Sequence, residues 1–161
     1  MGSDLNRPPF TPDVSGQAVN RPPSFIIQAI KDSEGANLDR VQMIKGYLDK
    51  DGKPQEKIFE VVWAGNRTID KNGKLPAIGN TVDIPTATYT NDIGAVSFQT
   101  IWTDPEFDDT QSAFYYLRVL EIPTPRWTTY DAKTLGVPPP TDVPATIQER
   151  AWSSPIWYTP K

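Results

Sequence analysis

No stretch of this chain carries an apolar period long enough for a helix of useful length; about seven short strand-like stretches, several of them alternating apolar and polar residues, are separated by turn chemistry instead. Side chains on a strand point to opposite faces in turn, so this pattern calls for sheets with one face buried. Residues 25–30 form a short apolar run between prolines and the turn-rich Asp32-Ser33-Glu34-Gly35. Over 38–48, Val41, Met43 and Tyr47 fall on one face, and Gln42, Ile44 and Leu48 on the other. The turn Asp49-Lys50-Asp51-Gly52 then leads into 57–63, where Phe59, Val61 and Trp63 alternate, which predicts a hairpin. Asp70-Lys71-Asn72-Gly73 repeats that turn chemistry. Residues 81–84 and 86–90 read as edge-strand pieces broken by Pro85. Residues 95–103 place Val96, Phe98 and Trp102 on one face, and 113–121 place Phe114, Tyr116 and Leu120 opposite Tyr115, Leu117 and Val119. The last strand is expected over 151–158, with a brief helix over 146–151 before it. Trp63, Trp102 and Tyr116 are the expected core aromatics, and Trp157 is expected to pack inward as well.

This inventory predicts an all-β fold: an immunoglobulin- or fibronectin-like sandwich of two sheets with long proline-rich loops. The boundaries follow the prolines. Residues 1–23 hold five of the chain's 17 prolines and read as a linker or strap, with Phe10 and Val14 as its candidate anchors. Residues 24–161 form the sandwich domain. Hydrophobic residues reach only 37%, but aromatics supply 11%, so large rings are expected to fill the core. The start, MGSDLNRPPF, lacks the apolar run of a signal peptide and reads as a domain boundary.

Charge and residue usage narrow the function. The net charge is −4, and no Lys or Arg cluster offers a nucleic-acid footprint. No apolar run approaches the ~20 residues of a membrane-spanning helix. The chain has no histidine and no cysteine. It therefore lacks the commonest general base, the commonest nitrogen metal ligand, and any disulfide framework. Ser153 and Ser154 have no histidine to activate them. No catalytic residue, cofactor or nucleic-acid partner is expected of this stretch by itself.

Two constellations stand out. Asp104, Glu106, Asp108 and Asp109 lie within six residues, a density of hard oxygens that holds Ca²⁺ when a loop wraps around it. A solvated, capped turn is the preferred reading, with Asp104 as N-cap and Pro105 at the first helical position. The stretch 123–131 displays Arg126, Trp127, Tyr130 and Asp131 between stiffening prolines. Arg and aromatic groups are favoured interface anchors, so these four are the candidate contact with another domain or subunit. A lid over the chain's own core is the competing reading.

Four longer strings resemble a known family: NLDRVQMIKGYLDKDGKPQEKIFEVVWAG, GNTVDIPTATYTNDIGA, WTDPEFDDTQSAFYYLRVLEIPTPRWTTYDA and IQERAWSSPIWYTP. They are similar to the C-terminal region of a bacterial, usually exported family of unknown function. Its members begin with a PHP-like metallohydrolase domain related to CehA and McbA. The resemblance implies a hydrolytic parent, a periplasmic or extracellular location, and a partner in the N-terminal catalytic domain or a second subunit. The family's metal ligands lie in that N-terminal domain, so no catalytic position carries over. The expected role is that of a non-catalytic accessory domain. The alternative is an independent glycan- or calcium-binding module, which exposed tryptophans in one plane would favour.

Overall fold

The computed structural model describes residues 2–5 and 21–160. The elements are β1 (Ser3–Asp4), β2 (Ser24–Ile30), β3 (Leu38–Leu48), β4 (Pro54–Trp63), β5 (Ser97–Thr103), β6 (Ala113–Glu121), β7 (Thr124–Pro125), α1 (Trp127–Leu135), β8 (Thr146–Ile147), β9 (Arg150–Trp152) and β10 (Ile156–Tyr158). The fold is mostly β with one short helix. The larger sheet runs β1-β10-β6-β3-β4, with β9 also on β6; β2 pairs with β5, and β7 with β8.

The expected hairpin is β3–β4. Its turn is held by Asp49, whose Oδ1 accepts the N–H groups of Asp51 and Lys53 at 2.9 Å, while Gly52 takes φ 75°. Asp70 does the same for Asn72 and Lys74 at 2.8 and 2.9 Å. In both turns these bonds favour the ionised carboxylate and lower its pKa.

The core lies between the two main sheets. Phe25, Ile27 and Phe98 come from β2 and β5; Val41, Met43, Ala113, Tyr115 and Tyr158 come from the larger sheet. Rings interlock across the gap: Phe25 and Tyr115 have centroids 5.2 Å apart, and Phe59 and Trp102 likewise 5.2 Å. Burying a large apolar side chain of this kind stabilises the fold by about 1.5–3 kcal/mol. One buried ion pair crosses the same interior. Lys45 of β3 reaches Asp104, just beyond β5, at 2.6 Å.

The last strand is split. Trp152 lies opposite Arg118, and Ile156 lies opposite Tyr115, so one residue is extra on the β9–β10 side. The Ser153-Ser154-Pro155 corner absorbs it, with Ser153 N–H donating to Leu117 O at 3.1 Å and Leu117 N–H to Ser153 Oγ at 2.9 Å. β1 adds parallel to β10 at the sheet margin. Residues 3–4 of the proposed strap therefore lie on the domain's own sheet; Phe10 and Val14 fall outside the described residues.

Several expectations are corrected. A bulge shifts the β3–β4 register between Val41 and Gln42, so Val62 rather than Val61 faces Val41 and Trp63 lies opposite Arg40. Trp63 is thereby turned away from the core cluster, and its indole N–H donates to Arg67 O at 2.8 Å. On β6 the core face carries Ala113 and Tyr115, so Tyr116 points to the other face. Trp157 is 49% exposed, opposite Phe114, rather than packed inward. Val96 precedes β5 and is exposed. Residues 81–90 make a turn closed by an isolated bridge between Asp83 and Thr88, not edge strands. Residues 146–151 form β8 and the start of β9, not a helix. Trp102 does pack against the core.

Candidate functional site

The proline-flanked segment is a helix, not a loop. Arg126 at its start is extended and offers no side-chain cap. The end is well defined: Gly136 takes φ 67°, and Val137 N–H returns to Ala132 O at 3.0 Å. Glycine suits that left-handed position because it has no Cβ to clash. Thr129 and Ala132 form the buried face, and Thr129 Oγ donates to Ala145 O at 2.6 Å, tying α1 to the chain just before β8. The opposite face carries Trp127, Tyr130, Asp131, Thr134 and Leu135, spaced as neighbours on one side of a helix. Trp127 is 66% exposed, Tyr130 42% and Leu135 72%. Three large apolar groups thus stand outward on nine helical residues. Beside them, Arg126 Nε and Thr128 Oγ1 are buried without hydrogen-bond partners.

The structure brings together all four residues of the candidate contact surface, on or at the head of this one helix. The helix itself was hidden because Thr128 and Thr129 are poor helix formers and its outward positions are as apolar as its inward ones. Gly136 after Lys133 was the available signal of a helix end.

The four acids at 104–109 are arranged differently. Asp104 is buried; its Oδ2 accepts from Lys45 Nζ at 2.6 Å and from Tyr115 OH at 2.8 Å, and its Oδ1 from Glu106 N–H at 2.8 Å. Lys45 also donates to Glu106 O at 2.8 Å. Glu106 pairs through its carboxylate with Lys57. Asp108 accepts from the hydroxyl and N–H of Thr110, which lowers its pKa. Asp104 does cap the turn at 105–106 through Oδ1, as expected, but the turn is not solvated at that point: the same carboxylate is buried and anchors Lys45 and Tyr115 in the interior. Among the described residues no three or more His, Cys, Asp or Glu side chains gather as a metal site. Lys45, the partner that commits Asp104, lies 59 residues away in sequence and gave no local signal.

Tyr115 shares this interior. Burial first, then its hydrogen bond to Asp104 and that carboxylate's charge, push its pKa well above the ordinary phenol value. The hydroxyl of a sandwich tyrosine corner bonds to backbone; here Tyr115 bonds to a carboxylate, while Tyr158 OH reaches the backbone O of Asp109 at 3.0 Å. A second network centres on Asp39, which accepts from Arg67 at 2.6 Å and Gln148 at 2.9 Å and so ties distant loops to β3. A cleft of about 460 Å³ opens between β2 and the Ser153-Ser154-Pro155 corner, floored by Phe25, Ile27, Met43 and Tyr115.

No curated protein and no solved structure matches the chain. A family model matches residues 1–160, and on that match the chain belongs to the family described as Protein of unknown function (DUF3604).

Proposed function

We propose that this chain is the non-catalytic accessory domain, an immunoglobulin-like sandwich, of an exported bacterial PHP-like metal-dependent hydrolase, and that α1 docks it on the catalytic domain. The observation that carries the reading is the outward apolar face of α1. Trp127, Tyr130 and Leu135 stand in solvent on a helix whose buried side is only Thr129 and Ala132. Aromatic and arginine anchors in a compact patch are the usual centre of a protein interface. The hydrolytic parent rests on the sequence resemblance. The division of labour rests on residue usage, since a chain without histidine brings none of that family's histidine ligands.

The test uses the parent's catalytic region, expressed separately, and this chain. Isothermal titration should detect association, and Trp127→Ala combined with Tyr130→Ala should weaken it at least about tenfold, a loss of roughly 1.4 kcal/mol. Hydrolysis of a chromogenic phosphoester should belong to the catalytic region and be absent from this chain alone. Unchanged association by the double variant refutes the docking surface. Turnover by the purified chain, removed by one substitution in it, refutes the accessory role.

A further inference from the structure

The outer face of the larger sheet carries an aromatic row that the core does not use. Strand alternation and register put Trp157 opposite Phe114, Tyr116 two residues along β6 from Phe114, and Trp152 opposite Arg118 on this one face. Trp157 is 49% exposed and Trp152 56%. Phe114 and Tyr116, both half-buried, have ring planes 11° apart with centroids at 6.2 Å, and Trp157 follows at 5.1 Å from Phe114 with its plane tilted by 46°, so the row is a curved rather than a flat surface. Gly46 explains how Phe114 lies down. A Cβ there would fall 2.2 Å from Phe114 Cζ, so the ring tip occupies the space above β3 that any other residue would fill.

A polar ladder runs beside the rings. Glu60 Oε1 accepts from Gln42 Nε2 at 2.7 Å, and Gln42 Oε1 accepts from Arg118 Nε at 2.8 Å. Gln42 is buried, so the ladder is fixed at its middle. Arg118 is thereby oriented through Nε, and among the described residues no hydrogen bond or ion pair engages its two terminal nitrogens.

We infer that this face is a glycan-binding platform, with pyranose rings stacking on Phe114, Tyr116 and Trp157 and sugar oxygens accepting hydrogen bonds from Arg118. The C–H face of a pyranose is a flat, weakly positive apolar surface, complementary to the negative face of an aromatic ring. Its rim of hydroxyls needs donors placed beforehand, and the Gln42–Glu60 ladder places the Arg118 fork. An extended peptide added as a strand needs a free backbone edge, and β6 and β3 are paired on both sides here. Glu56 and Glu60 on β4 disfavour an anionic lipid or nucleic acid on the same face. The inference is independent of the docking surface on α1.

The test is native affinity electrophoresis of the 161-residue chain through gels holding xylan, mixed-linkage β-glucan or galactomannan. At least one polymer should retard it. Trp157→Ala and Tyr116→Ala should each weaken that retardation roughly tenfold, the upper end for losing one aromatic contact. Gly46→Ala should weaken it by lifting Phe114, and Arg118→Lys should weaken it by removing the fork while keeping the charge. Trp127→Ala on α1 should leave it unchanged, and a urea titration of each variant separates lost binding from lost folding. No retardation by any of the three polymers overturns the inference. So does retardation that folded Trp157→Ala and Tyr116→Ala proteins retain, or a change in self-association as the only effect of these variants, which would mark a protein interface.

Discussion

Asp104→Asn is the most informative single perturbation of the fold. The side chain keeps its size but loses its charge. Lys45 then retains an ammonium that is 5% exposed, with the Glu106 carbonyl at 2.8 Å, the ring faces of Tyr47 and Tyr115 at 5.6 and 5.8 Å, and at most a neutral amide oxygen in place of the carboxylate. Removing one partner of a buried ion pair typically costs about 3–5 kcal/mol, whereas an exposed pair would cost about 0–1 kcal/mol. Burial of both partners places this pair in the first class. For a domain of this size the melting temperature should fall by about 2–4 °C per kcal/mol, or roughly 6–20 °C in all. Urea denaturation of Asp104→Asn, Lys45→Met and the double variant Lys45→Met with Asp104→Leu provides the assay. The double variant should lose less than the two singles together, because it strands no charge. It still orphans Tyr115 OH and Glu106 N–H, at about 1–3 kcal/mol each. A loss below about 1 kcal/mol for Asp104→Asn would refute the reasoning, because the site would then be wet enough to solvate the stranded ammonium.

Trp102→Ala should cost about 3–5 kcal/mol in the same assay, since its ring lies against Phe25, Phe59 and Tyr115; a loss under about 1 kcal/mol would show that those contacts do not hold the sheets together. Trp127→Ala in the isolated chain should change stability by less than about 0.5 kcal/mol, and a larger loss would make α1 a lid on its own core. Glu121 has its pKa raised, chiefly by burial and then by the charge of Glu149. The native state therefore binds more protons than the unfolded state above pH 4.5, and stability falls as pH rises through that window. Glu121→Gln should accordingly be more stable than the parent at pH 7, with the gain fading below pH 4.5; equal stability of the two proteins at pH 7 would contradict this. Gly136→Ala should cost about 1 kcal/mol through φ strain alone, because nothing lies in the way of a Cβ.

The local features of this protein were legible in its residues. Period-two alternation located β3, β4, β5 and β6, a proline-bounded apolar run located β2, and Asp and Gly at fixed offsets located the two Asp-Lys-x-Gly turns, because each depends on neighbours a few residues away. The rest depended on pairing. The bulge that turns Trp63 outward exists only once β4 is laid beside β3, and on β6 both sets of alternating residues are apolar, so alternation could not say which faces the core. Helix α1 carried apolar residues on its outer side, and a periodicity argument reads such a segment as featureless. Among the acids of 104–109, the sequence marked a cluster of like charges, but only the tertiary structure brought Lys45 across from β3 to neutralise Asp104. A partner 59 residues away leaves no trace in local spacing, whereas at 2.6 Å in the buried interior it decides what that carboxylate does.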